Sequence, residues 1–347
     1  MKTQNRIQYI DAMRGFAMMV VVLHHVFSYS FKYYKAETVV SSFFITFMLP
    51  LFFFISGYIG YKAPERWNAG YFISYLKKKA YILWVPSLIF LFIYCTVIQR
   101  DFVSSFCDSG LCYYWFNEVL FEMFLVYFII AFISNKFSNS LFNPLIIAVA
   151  IITVFILSFC FHANAITKFL NLRGFCRYFQ FFALGLLCNK YQDRFKVFIT
   201  HQTVRSILIV LFFALFLFMW RGPFDHKSFI FKMNHDLVIR YAGLLLVVSL
   251  FVTHADYFEA NGKISRALQY VGVRTLDVYL LHVFFIPKLY FFKPYFIKND
   301  YPFVEFIIAV LLASIILALS LALSALIRHS DFLGHALFGA KSDKYKF

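Results

Sequence analysis

The chain has 347 residues, of which 62% are hydrophobic, 22% aromatic and only 14% charged, a balance that excludes a soluble globular domain. Its formal net charge of +16 would point to nucleic acid in a soluble protein. Here the bases fall in short segments between apolar runs, where they set membrane orientation instead, so an all-α polytopic membrane protein with no nucleic-acid partner is predicted.

Windows of about 20 apolar residues predict ten spans near 7–30, 39–61, 80–98, 113–134, 141–161, 175–190, 205–221, 236–254, 268–287 and 303–327. No linker or low-complexity segment divides them, so one transmembrane domain over 1–347 is expected. An even count puts both termini on one side. Eighteen Lys and Arg fall in the termini and even-numbered loops against eleven in the odd-numbered loops, and the positive-inside bias assigns the richer side to the cytoplasm.

The first apolar run, Ile7 to Phe31, is interrupted by Asp11, Arg14, His24 and His25. These interruptions, and the lack of a small-residue cleavage site, predict a retained span rather than a signal peptide. On a helix, the eleven positions from Arg14 to His25 return to within roughly 20° of one face, roughly 16 Å further along. Asp11 stands three residues before Arg14, within reach of an ion pair. His24 points about 100° away from His25, so the two histidines serve different faces. Ionisable groups inside a span usually face a bundle interior or a watery cavity, which makes this face a functional candidate. The alternative is a helix whose Asp11 and Arg14 only mark its end and whose histidines bond to nearby backbone.

Further along, Lys77, Lys78 and Lys79 lie at the expected edge of the third span, where bases attract phosphates and anionic lipid head groups; ordinary anchoring is the alternative. The loop around Asp108, Ser109 and Gly110 is flanked by Cys107 and Cys112, either a local disulfide or two unrelated thiols. The six cysteines otherwise lack the paired spacing of a zinc site, and no metal is expected. Glu118 and Glu122, one turn apart in the fourth span, are candidates to orient a histidine or contact a hydroxyl; Glu122 is expected to be the deeper. A structural hydrogen bond is the alternative for both. His282 is expected about 21 Å along a continuous ninth span from Leu268, near its outer end.

The first span's Asp11, Arg14 and His25 are joined by the second span's Pro50, Phe52, Phe53, Ser56, Gly57 and Tyr58, by FFALGLL at Phe181 to Leu187, and by YVGVRTLDVYLLH at Tyr270 to His282. In this order they resemble the motifs of the acyltransferase-3 family of integral-membrane acyltransferases, with Thr275 in the place of a Ser in the last. One departure is that family members often carry two spread bases before a Pro in the third span. Here Lys77 to Lys79 supply one, and Ala80 to Val85 before Pro86 supply none.

The resemblance implies an enzyme of the bacterial inner membrane that moves an acyl group, most simply acetyl, from cytoplasmic acyl-CoA to a hydroxyl of an envelope glycan or lipid-linked saccharide. His25 is then the candidate base, since histidine's ordinary pKa suits removal of a hydroxyl proton; a transient acyl carrier is the alternative role. Asp11 and Arg14 complete the catalytic candidates. Arg14 and Lys77 to Lys79 become candidates for the donor's phosphates, and Ser56, Tyr58, Glu118, Glu122 and His282 for the acceptor. A secondary transporter or polysaccharide exporter would also carry intramembrane charges. No repeated pair of Gly- or Pro-interrupted spans supports that alternative.

Overall fold

A computed structural model describes residues 7–33, 38–62, 68–107, 112–137, 165–221, 229–260, 262–299 and 301–339, and all regular structure among them is helical. In chain order the helices are α1 (Gln8–His25), α2 (Val39–Ile45), α3 (Met48–Gly60), α4 (Ala69–Ile98), α5 (Phe102–Cys107), α6 (Trp115–Phe137), α7 (Ala165–Phe169), α8 (Leu172–Lys190) and α9 (Gln192–Thr200). They continue as α10 (Gln202–Arg221), α11 (Phe229–Thr253), α12 (Ala255–Glu259), α13 (Lys263–Val273), α14 (Thr275–Leu281), α15 (Phe292–Asn299), α16 (Pro302–Arg328) and α17 (Asp331–Phe338).

Among the described residues six helical segments are long and apolar enough to cross a membrane, namely Gln8–Ser30, Val39–Gly60, Ala69–Ile98, Trp115–Phe132, Asp236–Thr253 and Pro302–Arg328. The pair Gln192–Thr200 and Gln202–Phe218, bent by 68°, makes a seventh if it counts as one span. The protein is thus all-α and polytopic. The expected span at 141–161 lies outside the described residues. The residues of the expected sixth span form the helix α8, which is not among these segments, and the expected ninth is not continuous, as described below.

Local chemistry explains several boundaries. Thr38 and Ser41 form a capping box at the start of α2, and the Asn68 side chain accepts from the Tyr71 N–H to start α4. That early cap places Lys77, Lys78 and Lys79 inside α4 rather than in a loop before it. The helix simply continues through them, since lysine is a good helix former and Lys77 and Lys78 remain exposed. At the other end Gln99 closes α4 in the left-handed region, at φ 54°.

The chain divides into two compact units, 1–52 with 191–321, and 53–190 with 322–347. In the first, α1 packs against α13 without room for side chains between them. A Cβ on Gly15 would overlap the Leu268 carbonyl, and one on Gly272 the Asp11 carbonyl. Small residues at such contacts let helix backbones touch. The pairing of 11 with 272 and 15 with 268 makes α13 antiparallel to α1. Elsewhere in this unit Phe43 packs edge-on to Phe212 and Phe216, with centroids 5.4 and 5.3 Å away. The buried Glu305 of α16 accepts a 2.6 Å hydrogen bond from Thr38.

The second unit repeats the device. A Cβ on Gly57 of α3 would overlap the Phe182 carbonyl, and one on Gly185 of α8 the Phe54 carbonyl. The motif glycines of the second and sixth spans are therefore packing residues. Between α4 and α6, Asn117 donates to Ser87 Oγ at 2.9 Å, and Ser87 donates to the Leu83 carbonyl at 2.7 Å beside Pro86. The Lys62 N–H donates to the Tyr127 hydroxyl at 2.9 Å, closing the end of α3.

Cys107 is a free, exposed thiol at the end of α5, so the local disulfide with Cys112 is not formed. Cys107 ends one helix and Cys112 opens a separate 3-10 turn, Cys112–Tyr114.

Candidate functional site

The site is built on α1 and on a reversal of the chain at Arg274, all within the first unit. Arg274 sits between α13 and α14 at φ −114° and ψ 20°. Past it the contacts with α1 run the other way: Arg14 meets Thr275, and His25 meets His282, so α14 runs parallel to α1. The expected continuous span from Leu268 to His282 is therefore two helices of opposite direction. Gly272 packs on Asp11 one residue before α13 ends, and the Arg14 hydrogen bond falls on the first residue of α14.

Both histidines stand where helix geometry changes. After His25 the helix widens into a π-helical turn, Val26–Ser30, with the Phe31 N–H donating to the Val26 carbonyl at 3.0 Å; such turns occur often at functional sites. His282 opens a 3-10 turn, His282–Phe285. Pro287 holds the preceding Ile286 extended, at ψ 112°, which ends the helix there. The two segments are then tied together. The Leu289 N–H donates to the Ser30 carbonyl at 2.9 Å, and Lys293 Nζ to the Lys32 carbonyl at 3.2 Å.

At the start of α1, Arg14 Nη2 donates to Thr275 Oγ1 at 2.8 Å, and Nη1 lies 3.6 Å from Asp11 Oδ1. Asp11 is buried, whereas the Arg14 side chain keeps 32% of its surface exposed. At the far end, His25 Nδ1 and His282 Nε2 lie 2.5 Å apart with nearly parallel rings, and His282 Nδ1 is 2.9 Å from the Val278 carbonyl.

The carbonyl can only accept, so His282 Nδ1 carries a proton; for two neutral rings the network then assigns the remaining positions. His282 Nε2 accepts from His25 Nδ1–H, and His25 Nε2 keeps its lone pair. His24 is outside this chain, bonded at 3.2 Å to Ser28, one turn on.

The structure thus pairs Asp11 with Arg14 at one end of α1 and His25 with His282 at the other. Lys77, Lys78, Lys79, Ser56, Tyr58, Glu118 and Glu122 lie in the second unit. There Lys79 turns its ammonium onto the Phe124 ring, 3.7 Å from the centroid. Glu118 is nearly inaccessible to solvent, at 1% exposure, and each glutamate has a buried carboxylate oxygen with no hydrogen-bond partner. Sequence reasoning missed Thr275 as the partner of Arg14, and Asp277, which is fully buried in the first turn of α14. An acid within the apolar TLDVYLL was the available signal. Among the described residues no three His, Cys, Asp or Glu side chains gather as metal ligands would.

A family model described as an acyltransferase domain matches residues 7–329, nearly the whole chain. The chain belongs to the acyltransferase-3 family. No curated protein and no solved structure matches it. As a member of the acyltransferase-3 family with several membrane-crossing helices, the protein is an integral, multi-pass membrane acyltransferase. Within that activity, a hydrogen-bonded imidazole with an available lone pair is suited to take a proton, and an arginine with a part-exposed side chain to bind an anion.

Proposed function

We propose that the protein is an O-acyltransferase, most simply an O-acetyltransferase, that uses acyl-CoA to modify a hydroxyl of an envelope or exported glycan. The observation that carries this reading is the chain from His25 through His282 to the Val278 carbonyl, on the same helix as Arg14. In the proposed reaction His25 Nε2 takes the acceptor hydroxyl proton while the oxygen attacks the thioester carbonyl. The C–S bond breaks, and the CoA thiolate leaves with the proton returned by the imidazolium. His282 holds the His25 ring in one tautomer and shares the charge that forms on it, a role akin to the orienting partner of a catalytic triad.

In this reading Arg14, held by Asp11 and Thr275, binds an oxygen of the donor, with Lys77 to Lys79 as further candidates for donor or lipid phosphates. Ser56, Tyr58, Glu118 and Glu122 are the acceptor candidates. The termini are cytoplasmic and the membrane is a bacterial inner membrane. The test is chromatographic measurement of CoA released from acetyl-CoA by purified protein supplied with a glycan extract of its host. Release by the wild type and none by His25→Ala is expected. Absence of release by the wild type would overturn the donor, and equal release by the two would overturn the base.

A further inference from the structure

The helix α13 has two unlike faces. Ser265, Val271 and Gly272 are buried, and the Leu268 carbonyl and Gly272 meet the backbone of α1. Lys263, Arg266 and Tyr270 fall within about 60° of one another on a helix, and all three are exposed. Arg274, just past the helix end, closes this stripe by laying its guanidinium on the Tyr270 ring, 3.9 Å from the centroid. Its Nε is buried and has no hydrogen-bond partner. The helix carries no acid. The flanking acids in sequence are Asp256 and Glu259 of α12, which are exposed, and Asp277, three residues past Arg274, which is fully buried; among the described residues none of the three bases makes an ion pair with Asp256 or Glu259.

The place of this stripe matters as much as its charge. Gly272 lies on Asp11, and Thr275, next to Arg274, holds Arg14. The basic stripe therefore runs up to the Arg14 end of α1, from which one face leads roughly 16 Å to His25. A donor with phosphates at one end and a thioester at the end of an extended arm fits with its phosphates at the Arg274 end of the stripe, Arg266 and Lys263 lying back along the antiparallel α13.

We propose that Arg274, oriented by Tyr270, and the exposed Arg266 and Lys263 form the seat for the phosphates of the acyl-CoA nucleotide. The pantetheine arm then passes Arg14 towards His25. This rests on the reading of the donor as acyl-CoA. Guanidinium groups suit the seat, since a planar fork bridges two phosphate oxygens. An anionic lipid head group offers the same phosphate chemistry, and the experiment separates the two sources.

Purified protein is assayed with acyl-CoA, with its 3′-dephospho form and with acyl-pantetheine, which lacks the nucleotide. The readout is the preference, as a ratio of kcat/KM values, for acyl-CoA over acyl-pantetheine. Arg274→Ala should reduce it roughly tenfold, as expected for loss of one charge-assisted hydrogen bond, and Arg274→Lys should recover part of the loss. Since Lys263 and Arg266 are solvent-facing, the double variant Lys263→Ala, Arg266→Ala should fold normally and also lower the preference. An unchanged preference in that double variant and in Arg274→Ala would overturn the proposal. So would a loss that follows the anionic lipid content of reconstituted vesicles and is the same for acyl-CoA and acyl-pantetheine, which would assign the stripe to lipid. Failure of the wild type to use acyl-CoA at all would instead sink the donor reading on which the proposal stands.

Discussion

His24 and His25 are adjacent in sequence, but only His25 reaches a second histidine across the bundle. His25→Ala should therefore lower transfer by about 10² to 10⁴, the usual contribution of a proton-transfer group, while His24→Ala keeps most activity; comparable losses in the two would refute the assignment. His282 acts through His25, so its substitution separates positioning from packing. His282→Gln offers an amide oxygen to the His25 Nδ1–H and should retain more activity than His282→Leu, which offers none. Equal activities would reduce His282 to a packing role. At the Arg14 end, Thr275→Val removes the 2.8 Å hydrogen bond and should raise the apparent KM for the donor several-fold, with Thr275→Ser near wild type. A KM unmoved by Thr275→Val would count against this contact as what holds the guanidinium.

At this scale the sequence was informative where helix geometry alone decides. Arg14 and His25 share a face by arithmetic, and the Asp11 to Arg14 spacing permits the observed ion pair. The His25 to His282 contact joins residues 257 apart in sequence, and no local pattern states such a distance. The near-complete burial of Glu118 is likewise not stated by its own segment. Its burial is set by neighbouring helices that a single segment does not reveal.

Among elements, the two unlike pairs α1 with α13 and α3 with α8 use reciprocal glycines. An added methyl at Gly15, Gly57, Gly185 or Gly272 has to displace a backbone carbonyl, which cannot rotate away as a side chain can. Each Gly→Ala change should destabilise by at least the roughly 1–3 kcal/mol typical of overpacking, seen as a lower thermal midpoint in detergent. Gly262→Ala is the control, since nothing lies within 4 Å of its added Cβ. A midpoint for Gly57→Ala equal to that of the control would contradict the crossing. Gly57 and Gly185 were noticed in sequence as parts of motifs, but their packing role emerges only from the paired helix. The reversal at Arg274 was not legible, because GVRTLD has no Pro and its one Gly, Gly272, lies within α13, where it packs on Asp11 instead of marking the turn. There, tertiary contacts with α1 decide what the backbone does.

For the whole molecule, composition alone predicted an all-helical membrane protein, because no soluble fold tolerates this apolar content. Individual spans were less legible. A hydropathy window averages over breaks, so it merged α13 and α14 and overlooked the bent start at α9. Orientation is open to a direct check. If both termini are cytoplasmic, the segment with the free Cys107 faces outward. A membrane-impermeant maleimide should then label intact cells without prior reduction, and Cys107→Ser should remove that share of the label. Labelling of Cys107 only after permeabilisation would reverse the topology.

The central claim, acyl transfer to a surface glycan by the His25 site, is tested most directly by mass spectrometry of the host's surface glycans. Three strains are compared: wild type, a deletion strain, and the deletion strain carrying the His25→Ala gene at matched membrane levels. The account predicts that the deletion removes one acyl increment from a glycan species and that His25→Ala fails to restore it. Glycans unchanged by the deletion, or a full increment restored by His25→Ala, would contradict it.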